Sequence, residues 1–441
     1  MTLSNGLLLI AILAFSSLAA SIIKGQQSAL AQSFIKITKD RNLVIDLGNG
    51  VKTNAQLTIA ALGKGPYPGV LLIPGSGAVD MNETVAKNVK PFWQVTQYLT
   101  ERGFVVLRYD KRGIGTDGTI INHNLWGNTT VNDLIHDAEK ALDVLIRQPE
   151  VDPKMISIIG HSEGAIIGPR VAIDNQMKVK NIVLMGAVAQ DFPGLAQFQY
   201  IGLPIEYTTQ VLDKNHTGSI NIQQTIKDPL YGRSIAFALA NNKSYSSTTT
   251  TSATSHHQLE NNSNSTTSRQ AVAIDAAGYI SIDKQLKGLL EKVFQNFFEN
   301  LTGGTHSKCK DPREGCPIYF KSEVNLEPNL SVIGNVSSST GILILNGEND
   351  TQTPVQQALL LQQRLTELNH PDHTLITYPN LGHLFFPSSQ WKTGLGPIQQ
   401  YVLADLFAWL SYHNGNIAVH YHLPVNTNIT TSPYSNSASH S

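Results

Sequence analysis

The run Ile156-Ser-Ile-Ile-Gly160-His-Ser162-Glu-Gly164-Ala-Ile-Ile constrains this chain more than any other stretch. An apolar strand passes directly into Gly-x-Ser-x-Gly, and a helix of small residues follows. A turn that sharp holds the Ser162 hydroxyl out at the top of a sheet, where a carbonyl carbon can reach it. It also requires glycine at 160 and 164, because a Cβ at either position would meet neighbouring backbone. The five-residue pattern alone occurs in unrelated loops. Here the strand before, the helix after, and a downstream acid and histidine in matching order make it informative.

The rest of the chain alternates in the same way. Apolar strands are expected at 69–74, 103–110, 179–185, 341–346 and 374–378, with two shorter ones at 43–47 and 56–60 joined by a Gly-Asn-Gly turn. Pro91 suits the first position of a helix over 92–99. Thr130-Val-Asn-Asp133 reads as a capping box, opening a helix with Leu134, Ala138, Ala141, Leu142 and Leu145 at apolar positions. Strands separated by such helices need crossover connections, so the expected fold is α/β, a mainly parallel, doubly wound sheet with helices on both faces. The alternation stops near Ala187. Helical stretches at 195–212, 220–240 and 280–300 follow, interrupted by polar filler. We read 191–335 as an inserted, mostly helical cap, with a disordered loop at about 244–268 where too little apolar residue remains to pack. The core is then expected in two parts, 40–190 and 338–413, the second with helices at 354–368 and 397–412. Residues 427–441 read as a disordered tail.

A serine hydroxyl is a weak nucleophile at neutral pH. It needs a histidine to take its proton and a carboxylate to fix the tautomer of that histidine. In an open parallel sheet these groups sit beyond the carboxyl ends of strands. Asp350 follows the strand at 341–346 and His383 follows that at 374–378, giving the chain order Ser, Asp, His. Glu348 is the competing acid but lies nearer its strand end. His373 precedes its strand, which places it at the opposite edge of the sheet from Ser162, and His161 is expected to point elsewhere on the turn. The oxyanion of a tetrahedral intermediate needs two backbone N–H donors. Glu163 supplies one, and Ser76 in Gly75-Ser76-Gly77 the other, with Gly77 as the neighbouring alternative. Gly75, Gly77 and Arg112 are candidates for the substrate pocket. For Arg112, pairing with Asp110 or Glu163 as a scaffold is preferred to holding a substrate carboxylate.

Five segments carry a family likeness. They are Leu72-Ile-Pro-Gly-Ser-Gly77 with Asp80, Leu107-Arg-Tyr-Asp-Lys-Arg-Gly-Ile-Gly115, Gly160-His-Ser-Glu-Gly164, Leu345-Asn-Gly-Glu-Asn-Asp350-Thr-Gln-Thr-Pro354 and Leu381-Gly-His383. Together they resemble secreted α/β-hydrolase esterases of the dienelactone-hydrolase-like or serine-aminopeptidase-like branch. The resemblance covers roughly 40–190 and 338–413. It implies the α/β-hydrolase fold and a Ser162/Asp350/His383 triad acting on acyl substrates, and it leaves the substrate open. Two departures stand out: Ala165 replaces a second glycine, and the cap carries a long polar insertion. The expected activity is hydrolysis of small-molecule carboxylic esters through an acyl-enzyme. The alternatives are a peptidase or amidase, an acyltransferase or a thioesterase on the same machinery, or a catalytically silent surface binding protein. A binding module has no need to keep the three residues together.

Charged residues make up 15% of the 441 residues, against about 25% in ordinary domains, and the net charge is −1. With no basic tract, nucleic acid has nothing to hold. An apolar run from Leu7 to Ile23, followed by Ala29-Leu30-Ala31, reads as a signal peptide over 1–31 with Gln32 as the first mature residue. An uncleaved membrane anchor is the alternative. Either places the chain outside the cytoplasm, secreted or at the cell surface. The sequons at Asn82, Asn128, Asn215, Asn242, Asn261, Asn264, Asn300, Asn329, Asn335, Asn349 and Asn428 agree with export. Asn349 is expected to stay unmodified, because a glycan there would crowd Asp350. In an oxidising compartment Cys309 and Cys316 are expected to form a local disulfide. No cofactor is required and no metal is expected, since the two cysteines, like His420 and His422, make an incomplete shell. Nothing in the sequence indicates an oligomeric state.

Overall fold

The computed structural model describes residues 38–61, 63, 65–240, 275, 277–302 and 316–415. β1 (Thr38–Gly48) and β2 (Val51–Ala60) bury alternate residues, among them Ile45, Leu47, Ala55, Leu57 and Ile59. β3 (Tyr67–Ile73), β4 (Val105–Tyr109), β5 (Val151–His161) and β6 (Val179–Met185) are buried over most or all of their length. β7 (Ser219–Asn221) and β8 (Tyr279–Ser281) are short and pair with each other. β9 (Gly341–Gly347) is buried throughout and β10 (His373–Tyr378) only partly. Continuous burial is what a strand covered on both faces requires, and alternation is what a half-solvated antiparallel strand requires.

The eight long strands form one sheet in the order β1-β2-β4-β3-β5-β6-β9-β10. β1–β2 and β2–β4 are antiparallel and every other pairing is parallel. Helices Val131–Ile146, Glu163–Asp174 and Val355–Glu367 pack Leu134, Ala138, Val171 and Leu361 on one face. Helices Pro91–Thr100 and Gln400–His413 pack Phe92, Val95, Leu99, Val402 and Leu406 on the other. The expected capping box is present: Thr130 accepts from Asp133 N, and the Asp133 carboxylate accepts from Thr130 N at 2.9 Å.

β1 and β2 outrun their expected lengths because pairing continues through polar positions, from Thr38 opposite Ala60 to Gly48 opposite Val51. Gln56 Nε2 donates to Asn42 Oδ1 across that pair at 2.9 Å. The last helix starts at Gln400 rather than 397, with Gln399 extended before it.

Between β6 and β9 the chain turns largely helical and forms a small core of its own around Ile201, Ile220, Ile235, Ile280, Leu286 and Leu289. Ile220 and Ile280 overturn one expectation, since they lie in the β7–β8 pair rather than in helices. The helices begin just after, where Asn221 accepts from Gln224 N and Ser281 from Lys284 N. A side-chain oxygen that takes an orphan N–H fixes where a helix starts.

Asn329 is a further correction. It is buried, donates to Ala165 O (2.9 Å) and Val188 O (2.7 Å), and accepts from Arg170 (2.7 Å), so this sequon is incompatible with a glycan in the folded chain. Cys316 is buried at the start of helix Pro317–Val324. Cys309, and with it the expected Cys309–Cys316 pairing, lies outside the described residues, as do the leader over 1–31, the loop at 244–268, His420, His422 and the tail at 427–441. Among the described residues, no helix is long and apolar enough to cross a membrane.

Candidate active site

Ser162 ends the descent from β5 with φ 55° and ψ −115°, a backbone state that costs a non-glycine residue about 1–3 kcal/mol. The surrounding contacts enforce it. Ser162 N donates to Met185 O at 2.9 Å, and Ala165 N donates back to Ser162 O at 2.9 Å. A Cβ at Gly160 would strike the Gly164 carbonyl, and one at Gly164 would strike that of Ile73, as the motif predicted.

Beyond β9 and β10 the chain brings Asp350 and His383 together. His383 Nδ1 lies 2.8 Å from Asp350 Oδ2, and both side chains are buried. Asp350 accepts as a carboxylate on all sides: Oδ1 from Gln352 N (2.8 Å) and Thr353 N (2.9 Å), and Oδ2 also from Thr353 Oγ1 (2.8 Å). With an acceptor facing Nδ1, the proton of a neutral ring sits there and Nε2 keeps its lone pair. Glu348 instead accepts from Thr377 Oγ1 at 2.9 Å on an exposed surface. His373 begins β10, beside Thr366 and the His370 carbonyl, far along the strand from its carboxyl end.

Opposite the histidine, the turn after β3 crowds the serine. A Cβ at Gly75 would come 3.3 Å from Ser162 Cβ and closer still to Glu83. Gly75 N donates to Glu83 Oε1 at 2.7 Å, so the exposed Ser76 is the next donor in the turn. Arg112 takes the scaffold role with other partners than expected. It donates to Asp137 (2.7 Å from Nε) and Asp133 (2.8 Å) on helix Val131–Ile146 and is not among the cavity residues. It is Lys111 that pairs with Glu163.

His161 corrects the expectation that it points away from the site. Its Nδ1 lies 2.8 Å from Glu83 Oε1 and its Nε2 3.0 Å from the His383 carbonyl, with the two imidazoles 4.6 Å apart. Burial works to lower the His161 pKa, but the Glu83 carboxylate, the His383 carbonyl and Asp350 outweigh it and raise the value. Both ring nitrogens thus face acceptors, as an imidazolium requires. Glu83 belongs to no catalytic motif. For His161 the available signal was a polar ring at a position that must be buried.

One cavity of about 660 Å³ opens over these groups. Gly75, Ser76, Gly77, Ser162 and His383 line its sheet side, and Phe192, Tyr200, Leu203, Phe294 and Phe320 its cap side. Glu323, from helix Pro317–Val324, also faces it. Burial first, and then the Glu163 charge, push the Glu323 carboxyl up to about 8, against a smaller opposing pull from Lys111. Among the described residues no group of acids, histidines or cysteines is arranged to hold a metal ion.

A family model described as alpha/beta hydrolase fold matches residues 68–389. Esterase EstD of Thermotoga maritima is 31% identical over 161 residues, 34% of this chain and 36% of EstD, so the match spans little more than a third of that relative. Two solved structures are similar at low identity. Proline iminopeptidase of Mycobacterium smegmatis has a TM-score of 0.47 at 12% identity, over 85% of this chain and 99% of that one. A thermophilic esterase of Thermogutta terrifontis has a TM-score of 0.43 at 14% identity, over 85% and 99%.

Proposed function

We propose that this chain, which belongs to the α/β-hydrolase family, is a serine hydrolase that cleaves small-molecule carboxylic esters through an acyl-enzyme. The observation that carries the reading is the 2.8 Å contact between His383 Nδ1 and Asp350 Oδ2 at a cavity that Ser162 also lines. The carboxylate holds the Nδ1–H tautomer, which leaves Nε2 as the base. Ser162 Oγ bonds to the ester carbonyl carbon as its proton passes to Nε2. The carbonyl oxygen then takes up negative charge beside the N–H groups of Glu163 and Ser76. Collapse expels the alcohol oxygen, which leaves with the proton from Nε2. Water repeats the sequence: it gives a proton to His383, attacks the acyl carbon, and releases the carboxylic acid as Ser162 recovers its hydrogen. Every proton in the cycle moves between substrate, water, Ser162 and His383.

The name of the relative EstD supports ester over amide as the bond cleaved. p-Nitrophenyl esters of graded chain length, assayed beside aminoacyl-arylamides, test this choice. The expected outcome is ester turnover that disappears in Ser162→Ala. Arylamide turnover above ester turnover would move the reading to a peptidase, and no turnover of either would leave the surface binding protein. We also propose that the enzyme acts outside the cytoplasm, on the support of the apolar run from Leu7 to Ile23 and the sequons on exposed Asn128, Asn215 and Asn335. A mature protein beginning at Gln32 would bear this out, and an unprocessed chain recovered from the cytoplasm would contradict it.

A further inference from the structure

Lys111 lies two residues beyond the end of β4 with its side chain only 2% exposed, against the equally buried Glu163 carboxylate. A buried ion pair of this kind is a poor source of net stability, because desolvation offsets the attraction. Its contacts suggest a different role. An ammonium has three hydrogens, and Lys111 has three acceptors: Gly75 O at 2.6 Å, Gly77 O at 3.2 Å and Glu163 Oε2. Nothing is left over for a substrate.

We infer that Lys111 is a positioning residue that fixes both oxyanion donors at once, an inference that rests on the ester-hydrolase reading above. The Gly75 carbonyl and the Ser76 N–H share one trans peptide plane and point in opposite directions. Drawing that carbonyl onto Lys111 therefore turns the Ser76 N–H the other way. Glu83 holds the preceding N–H, that of Gly75, so the turn is fixed on both sides of Ser76. The same ammonium grips the side chain of Glu163, whose backbone N–H is the second donor, and Tyr319 OH holds the other oxygen of that carboxylate. Two donors from segments far apart in sequence are thus tied through one nitrogen. Donors set in advance at the place where charge develops stabilise the transition state more than the bound ester.

The test compares Lys111→Met/Glu163→Gln with the wild type on a p-nitrophenyl ester. The double variant removes both charges and leaves neither buried alone. With active sites counted by fluorophosphonate titration, kcat should fall about 100-fold, the scale of one lost oxyanion donor, while KM stays within about threefold. The affinity of a trifluoromethyl ketone, which forms an anionic adduct on Ser162, should weaken by the same factor as kcat/KM. The affinity of the matching methyl ketone should hold. A folded double variant with kcat within threefold of wild type overturns the inference, and so does parallel loss of both ketones, which would mean a collapsed pocket. If the double variant does not fold, Lys111→Arg decides. Its planar fork cannot reproduce the three-way donation, so kcat should fall about tenfold at unchanged KM, and an unchanged kcat overturns the inference. A wild type that turns over no ester at all removes the ester reading first and this inference with it.

Discussion

The floor and the roof of the cavity are held together by different forces. On the sheet side, directed hydrogen bonds fix each group: Asp350 by Gln352 and Thr353, His161 by Glu83 and the His383 carbonyl, the Gly75–Gly77 turn by Lys111. On the cap side, the wall is made of ring contacts. Phe192 stacks on Phe298 at 6.1 Å and tilts against Phe320 at 5.7 Å, and Tyr200 tilts against Phe294 at 6.0 Å. Hydrogen bonds depend steeply on distance and angle, whereas dispersion and apolar burial do not depend on direction. On the proposed function, the geometry needed for chemistry is held by the floor, and the roof is expected to select substrates by size and apolarity. Polar contacts also join the two, among them Tyr319 to Glu163, Gln199 to the Gln352 carbonyl, and Asn329 to the Ala165 and Val188 carbonyls.

That contrast breaks first at the floor. Ser162→Ala and His383→Ala should each lower turnover at least ~10³-fold with little change in the thermal midpoint. A loss of that size in a cap variant, or its absence in both of these, would erase the division. Asn329→Ala comes next, because it strips partners from the buried Ala165 and Val188 carbonyls and from Arg170. It should cost about 2–3 kcal/mol in denaturant unfolding, with kcat of the folded fraction retained. Phe294→Ala should then raise KM about tenfold for long-chain esters while leaving kcat on acetyl esters within twofold. Equal effects on both chain lengths would show that the roof does not select.

The remaining effect is one of pH and belongs to Glu323, the acid set in the aromatic wall. In the unfolded chain its carboxyl titrates near 4.5, and in the folded chain near 8. Between those values the folded state keeps a proton that the unfolded state has given up, so stability falls as pH rises through the window. Glu323→Gln does not titrate. Its thermal midpoint relative to wild type should therefore be flat below about pH 4.5 and climb steadily toward pH 8. Parallel pH profiles would mean that the carboxyl is solvated.

The sequence revealed the floor better than the roof, and its motifs better than its cross-links. Strand alternation and the strand–turn–helix motif located Ser162, while position beyond strand ends located Asp350 and His383, because these signals are local. The pairs Glu83–His161 and Lys111–Glu163 join loops far apart in sequence, and no local pattern encodes which acid meets which base. Arg112 illustrates this: its neighbour Lys111 took the partner proposed for it, and Arg112 turned to Asp133 and Asp137. In the cap, Ile220 and Ile280 fitted a helical period but pair as strands, since single apolar residues beside a capping Asn or Ser satisfy either pattern.

Labelling with a fluorophosphonate followed by peptide mapping tests most directly whether Ser162 is a nucleophile activated by His383. One adduct is expected, on Ser162, with labelling slowed at least ~10³-fold in His383→Ala. An adduct on another residue, or labelling undiminished in His383→Ala, would contradict it.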